Sequence, residues 1–578
     1  MSDRSELTGF PTVDKPWLKY YTNGALEGKS KKCTVYDLIY EGNKDFLNNF
    51  AISFFGNRIT YNDVFQSVNE CAKALLKVGV KRGDCINLIT AGVPEAIYIV
   101  LACSRIGVLA NFVNPLFDKE QMRDRINDTK AEWIFVLDVM YKCAEDILEA
   151  TCAKNVVVIP IAGSFPTFLK IAANMKSDAR RILKERHKLN YFNWKDFVEL
   201  GKYYKESIDS AYIEDTPTVM VYSSGSTGAS KGIVHTNESI NATVIDSLSS
   251  NLEWNKDMSF LQMIPIWFST GIVQSILLPM SRGLTVILEP RFNPEEFVKD
   301  IMKYEPTFTL VATSIWMSAI QNKKFEKADL SKLLYPFTGG EKLIPSSERE
   351  LNSFLQAHKC KSPILKGYGM CELGGKVTDS VVANKEASVG IPMVDIVVGI
   401  FDPITNEELT YGKHGEIRVN TPAHMMEYFK NEKATEEYFW KDDNGIVWGC
   451  TGDIGFIDED GLVYVLGRTT DNYTDESGRI IYLFDIEEEI IKDESVSQCK
   501  VVASKIDGTK KLVAHIVFRD SVNDENVCID RIRRKLKETL EVDMQPRYYK
   551  IRTSMPVHNN GKRDVESLEK DIKDLIPA

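Results

Sequence analysis

Helical and strand patterning alternate from the start of the chain. Residues 64–78 (VFQSVNECAKALLKV) repeat apolar side chains at helical spacing, and residues 84–90 (DCINLIT) then form a short apolar run. The same switch recurs at 94–107 followed by 108–114, and an apolar run returns at 132–137 (EWIFVL). This alternation predicts crossover units in a largely parallel sheet, where ligands bind beyond the carboxyl ends of the strands. From 412 to 466 the pattern changes to short strands with turn residues between them (GEIRV, then DEDGLVYVL), and Asp460-Gly461 is a good hairpin turn. After Gly467-Arg468 the composition is strongly polar through Gly478. An acidic amphipathic helix over 482–492, strands, and a helix over 530–540 follow. The expected fold is therefore α/β: a large N-terminal domain (1–467) of mostly parallel sheets flanked by helices, with a small β-rich subdomain, then a small α+β C-terminal domain (468–578) of about 110 residues. The boundary is placed at 468–471.

Composition narrows the function. Across 578 residues, 44% are hydrophobic and 26% charged, which excludes disordered and fibrous chains. Lys plus Arg total 71 against 82 Asp plus Glu, a net charge of -11 that disfavours nucleic acid as a partner. The 11 cysteines are scattered without CxxC spacing, so reduced thiols in a cytoplasmic setting are expected rather than a disulfide framework or zinc knuckle. The first ten residues carry charges where a signal peptide needs apolar residues. No later run approaches the ~18 residues of a membrane span.

The stretch Tyr222-Ser223-Ser224-Gly225-Ser226-Thr227-Gly228-Ala229-Ser230-Lys231-Gly232 carries the strongest chemical signal. It follows the apolar run 218–221 and precedes a predicted helix from Glu238, so it reads as a loop between a strand and a helix. Glycines let backbone N–H groups crowd around an anion, hydroxyls add donors, and Lys231 adds positive charge, a combination suited to polyphosphate. Composition alone is also compatible with a flexible surface turn; the position and the lysine favour phosphate. The GxxxxGK[ST] pattern does not fit, because Ser230 precedes Lys231 and Gly232 follows it.

This segment resembles the phosphate loop of the adenylate-forming superfamily, which includes acyl-CoA synthetases, luciferases and the adenylation domains of peptide synthetases. Further landmarks keep the family's order. Ile59-Thr60-Tyr61 and Val113-Asn114-Pro115-Leu116 resemble its early signatures, and Phe337-Thr338-Gly339-Gly340-Glu341 its adenine-side loop. Gly367-Tyr368-Gly369-Met370-Cys371-Glu372 resembles its YGxTE element, Thr451-Gly452-Asp453 its TGD element, Gly467-Arg468 the start of its hinge, and Asn560-Gly561-Lys562 its final lysine motif. The resemblance implies an AMP-forming acid–thiol ligase that uses ATP and Mg²⁺. Ser223, Ser224, Gly225, Ser226, Thr227, Gly228 and Lys231 would cradle phosphates, with Thr227 also catalytic. Gly339, Gly340, Glu341, Tyr368, Gly369, Met370, Cys371, Asp453 and Arg468 would bind the nucleoside, Asp453 through the ribose hydroxyls. Glu372 would hold the metal, and Lys562, on a mobile C-terminal domain, would stabilise the reacting carboxylate and α-phosphate.

The acyl pocket is expected at Trp267, Phe268, Ser269 and Gly271, in a segment similar to the family's PLFHxxG. No acid occurs from 264 to 271 to pair a substrate ammonium, which favours an apolar carboxylic acid, fatty or aryl, over an amino acid. Three positions depart from the family: Cys371 replaces the usual Thr, Thr470 and Thr474 stand at hinge positions usually acidic or basic, and Ser477-Gly478-Arg479 displaces the hinge glycine. Asp246-Ser247-Leu248, similar to a carrier-protein attachment site, reads as accidental. The implied second step transfers the acyl group to a thiol, coenzyme A first. The alternatives are the phosphopantetheine of a separate acyl or peptidyl carrier protein, loaded with an acyl or amino-acid group, and a catalytically weakened nucleotide-binding relative.

Overall fold

The computed structural model describes residues 7–22, 31–167, 169, 179–183, 188–208, 212–223, 230–248, 252–290, 294–474, 480–519, 522, 524–556 and 564–578. Two large, mostly parallel sheets dominate. One has eight strands, with Leu109–Phe112, Cys85–Ile89 and Trp133–Leu137 at its centre. The other has nine, in which Leu365–Tyr368, Tyr335–Thr338, Phe308–Val311, Ser259–Gln262, Thr285–Leu288 and Phe50–Phe54 run parallel. Both sheets contribute to one apolar core: Ile86, Leu88 and Val219 from the first meet Ile52, Val286 and Leu288 from the second.

The predicted helices form for local reasons. Tyr61–Lys77 starts at a reciprocal cap, in which Asp63 N–H donates to Thr60 Oγ1 and Thr60 N–H to Asp63 Oδ2. Pro94–Ile106 is buried on nearly every face and ends where Gly107 adopts φ 73°, a conformation glycine takes without side-chain strain.

The β-rich part is a five-stranded antiparallel sheet of Val397–Phe401, Gly415–Asn420, Val447–Ile457, Phe439–Lys441 and Val463–Arg468. It begins earlier than the 412 read from sequence, and its last strand runs through Arg468. Its 447–457/463–468 hairpin turns at Asp460-Gly461, where a Cβ on Gly461 would lie 2.7 Å from the backbone N of the buried Trp17.

Beyond Thr474, helices Leu483–Ile491 and Glu525–Thr539 pack on the strands Val496–Ile506, Thr509–Phe518 and Tyr548–Arg552 around a distinct apolar cluster. The second helix starts before the expected residue 530 because Asp524 caps the N–H groups of Asn526 and Val527.

One expectation is corrected. The glycine and serine stretch joins two antiparallel strands, Pro217–Tyr222 and Gly232–Thr236, rather than a strand and a helix; helix Asn237–Leu248 follows the second strand. Residues 232–236 (GIVHT) are wholly buried and three of the five are β-branched, so they extend the sheet before the helix begins.

A buried ion pair braces the sheet edge beside the cavity described below. Lys366 and Glu348 side chains are only 4% and 5% exposed. The ammonium also donates to Lys385 O at 2.8 Å, and Glu348 Oε2 accepts from Ala387 N–H at 3.1 Å. Lys366→Met should therefore destabilise the protein by about 3–5 kcal/mol, because it strands a buried carboxylate. Urea unfolding should show most of that loss recovered in Lys366→Met/Glu348→Leu.

Candidate active site

The carboxyl ends of both sheets open on one cavity of about 2720 Å³. Ser223, Lys231, Gly339, Gly340, Glu341, Tyr368, Gly369, Met370, Cys371, Glu372, Asp453, Arg468, Trp267 and Phe268 all line it. Ser224, Gly225, Ser226, Thr227, Gly228 and Lys562 lie outside the described residues. Ser269 and Gly271 are not on its wall. Ser269 is fully buried, and a Cβ on Gly271 would lie 2.1 Å from Pro265 O, so both serve the packing behind the acyl segment.

The base of the phosphate-loop candidate is closed by hydrogen bonds. Ser223 N–H donates to Lys231 O and Lys231 N–H to Ser223 Oγ, each at 3.0 Å, while Ser230 Oγ donates to Ser223 O. The Lys231 ammonium lies 4.5 Å from the ring centroid of Tyr428, whose hydroxyl donates to Glu372 Oε1 at 2.8 Å. Cation, phenol and carboxylate are thus placed consecutively at one end of the cavity. Burial, reinforced by the Glu372 charge, holds the Tyr428 phenol far above its usual range, so it remains a donor at neutral pH.

Tyr368 and Asp453 form a second group. The Tyr368 hydroxyl donates to Asp453 Oδ2 at 2.6 Å, and Arg468 Nε pairs with Asp453 Oδ1 at 2.9 Å. Arg468 also donates to Thr451 O at 3.1 Å. Glu341 behaves differently: both its oxygens accept from Ser314, N–H at 2.8 Å and Oγ at 3.0 Å, at the start of helix Thr313–Ile320. Its carboxylate fixes the neighbouring helix.

The Tyr368–Glu372 turn is held from the opposite sheet. A Cβ on Gly369 would lie 2.5 Å from Gly375 O, which leaves room only for glycine. The Cys371 carbonyl accepts from His235 Nε2 at 2.7 Å and from Ser269 Oγ at 3.0 Å. His235 and Tyr428 escaped the sequence reading. Both sit on neighbouring strands of the eight-stranded sheet, and the Tyr428 pairing spans nearly two hundred residues, beyond any local pattern. A lone His in the apolar stretch after the loop was the one available signal. Asp246 and Ser247 are buried within their helix, which excludes them as an attachment site in this fold.

Burial pushes the His235 imidazole down to about 4 from its ordinary value of 6.5. It is therefore neutral when folded, and the unfolded chain binds its proton more readily, so its contribution is present above pH ~6.5 and lost as the pH falls toward 4. Between pH 7 and 5 this one group should cost about 1–2 kcal/mol of stability. Urea midpoints at the two pH values should differ less in His235→Gln than in the wild type.

Residues 41–429 match the family described as AMP-binding enzyme, and the chain belongs to that family. It is similar to the long-chain-fatty-acid–CoA ligase of Bacillus subtilis (strain 168), at 23% identity over 558 residues, covering 95% of this chain and 96% of the relative. It is also similar to the acetyl-coenzyme A synthetase of Helicobacter pylori (strain G27), at 25% identity over 532 residues, covering 86% and 77%. The anthranilate CoA ligase AuaEII, solved in complex with anthranoyl-AMP, shares the fold: TM-score 0.76 at 20% identity, covering 93% of this chain and 97% of that one. Among the described residues, no helix is long and apolar enough to cross a membrane.

Proposed function

We propose that the protein is an AMP-forming acid–thiol ligase: it joins a carboxylic acid to the AMP part of ATP and then passes the acyl group to the thiol of coenzyme A. The observation that carries this reading is the convergence, on one cavity, of Ser223 and Lys231, the Glu372–Tyr428 pair, Asp453 with Arg468, and the apolar Trp267 and Phe268. The relatives named as CoA ligases support it.

In the first step an oxygen of the substrate carboxylate attacks the α-phosphorus and pyrophosphate leaves. Lys231, with the hydroxyls and N–H groups of the 223–231 loop, holds the departing phosphates. Lys562 stabilises the charge that develops between carboxylate and α-phosphate. Asp453 binds the ribose hydroxyls by sharing its oxygens with Tyr368 and Arg468.

Glu372 is 7% exposed and gives one oxygen to Tyr428. No group of three or more metal-binding side chains exists among the described residues. A single carboxylate suits Mg²⁺ that takes its other oxygens from phosphates and water. Glu372 would hold it, and when bound the ion neutralises triphosphate charge.

In the second step the C-terminal unit turns about 468–471 and admits the coenzyme A thiol, whose sulfur attacks the acyl carbonyl as AMP leaves. All 11 cysteines are free thiols, in keeping with a cytoplasmic setting.

Acid-dependent pyrophosphate release should occur with an apolar carboxylic acid and be slower with its α-amino analogue of equal chain length by roughly tenfold or more, the cost of an ammonium without a partner. Faster release with the amino acid would overturn the substrate class. Thioester should form only when coenzyme A is added.

Lys562→Ala should lower acyl-AMP formation by about 10²–10³. Thioester formation from supplied acyl-AMP should be far less affected, and equal loss in both half-reactions would remove Lys562 from the first step.

A further inference from the structure

The cavity has one arm walled by apolar side chains, of which Phe337 shortly precedes the 339–341 loop. Phe260, Phe308, Phe337 and Leu252 form one buried cluster, with Trp254 and Leu310 packed against it, and all six line the cavity. The Trp254 and Phe308 rings stack 5.2 Å apart. Such a wall suits an aliphatic or aryl group.

Lys376 interrupts it. This residue also lines the cavity, and its ammonium stands 5.3 Å from the centroid of the Phe337 ring. Its side chain is 13% exposed, and the Asp379 carboxylate 2.9 Å from the ammonium is fully buried. The preceding residue abuts the acyl segment: a Cβ on Gly375 would lie 3.0 Å from Thr270 N. The cation thus borders the acyl arm rather than the phosphate end, where Lys231 lies.

Charge decides what such a site accepts. Asp379 cancels the formal charge of Lys376, so a second substrate carboxylate would be desolvated there without a counter-charge, and uncompensated buried charge is costly. A hydroxyl or oxo oxygen accepts an N–H hydrogen bond without adding charge.

We propose that the acyl group carries a hydroxyl or oxo oxygen that accepts a hydrogen bond from Lys376, so that the substrate is a hydroxylated or oxo carboxylic acid rather than a plain hydrocarbon acid. This inference rests on the acid-activating function proposed above.

The test is acid-dependent ATP–pyrophosphate exchange by the full chain, run on wild type, Lys376→Met and Asp379→Asn. The acids are sets of equal length: unsubstituted, each positional hydroxy and oxo isomer, and ω-carboxy. Wild type should prefer at least one hydroxy or oxo isomer to the unsubstituted acid by about tenfold in kcat/KM. Lys376→Met should bring that ratio to about one, mainly through KM. Asp379→Asn leaves the ammonium uncompensated and should raise use of the ω-carboxy acid; because it keeps Lys376, it carries the test if Lys376→Met fails to fold, as judged by its thermal midpoint.

Preference for the unsubstituted acid over every isomer, or an unchanged ratio in Lys376→Met, overturns the proposal. So does wild-type preference for the ω-carboxy acid, or indifference of Asp379→Asn toward it. Absence of exchange with every acid instead refutes the acid-activating reading itself.

Discussion

The two large sheets share an apolar core, and where their carboxyl ends converge a short turn ties them together; the active-site arrangement depends on that joint. Cys371 and Glu372 follow a strand of the nine-stranded sheet, yet their main chain is bound chiefly by residues on or beside strands of the eight-stranded one, with Ser269 added from the segment after strand Ser259–Gln262. His235 and Ser269 donate to the Cys371 carbonyl, Met425 N–H donates to the Glu372 carbonyl at 2.7 Å, and the Tyr428 hydroxyl holds the Glu372 carboxylate. Buried polar groups left unpaired would each cost a kilocalorie or more, so this set of bonds fixes the relative position of the sheets at the point where their carboxyl ends converge. Lys231, beside the hairpin strand, and Glu372, on the turn, meet the same residue at this joint, Tyr428.

A second constraint couples the nucleotide side to the C-terminal unit. Asp453 is paired with Arg468, the last residue of a strand in the five-stranded sheet, and Thr469 N–H donates to Gly452 O at 2.8 Å. On the other side, Asp471 is held 3.0 Å from the buried Lys500 ammonium, which also meets Glu487 at 3.1 Å. Across Thr470 the two sides are also joined directly: Asp471 N–H donates to Arg468 O at 3.0 Å and the Asn472 side-chain amide donates to Thr469 O.

Much of this was legible in the sequence because it is local. The apolar periodicity of residues 64–137 predicts the crossover units, and Asp460-Gly461 turns the hairpin. The elements that misled are those whose partners are distant. Residues 232–236 look like a lead-in to a helix until the strand Glu427–Tyr428 pairs with them, and the two hydrogen bonds on the Glu341 carboxylate come from Ser314, on a separate helix. Ser269 was read as pocket lining from its place beside Phe268, whereas the backbone turns it inward to the Cys371 carbonyl. Lys376 carried no local signal at all, since only the fold sets it between Asp379 and the Phe337 ring.

Cys371, the residue that departs most visibly from the family pattern, shows how such a change is accommodated. The structural duties at this position are performed by its backbone: the carbonyl takes two hydrogen bonds, and the turn geometry is imposed by Gly369, which tolerates no side chain against Gly375. Neither depends on whether the side chain ends in a hydroxyl or a thiol. A sulfur is a weaker donor than an oxygen, so whatever the side chain gives to a bound phosphate is diminished. The frame that holds Glu372 against Tyr428 and Tyr368 against Asp453 is unaffected. The substitution therefore bears on the contact made by one side-chain atom and leaves intact the joint on which the neighbouring site residues depend.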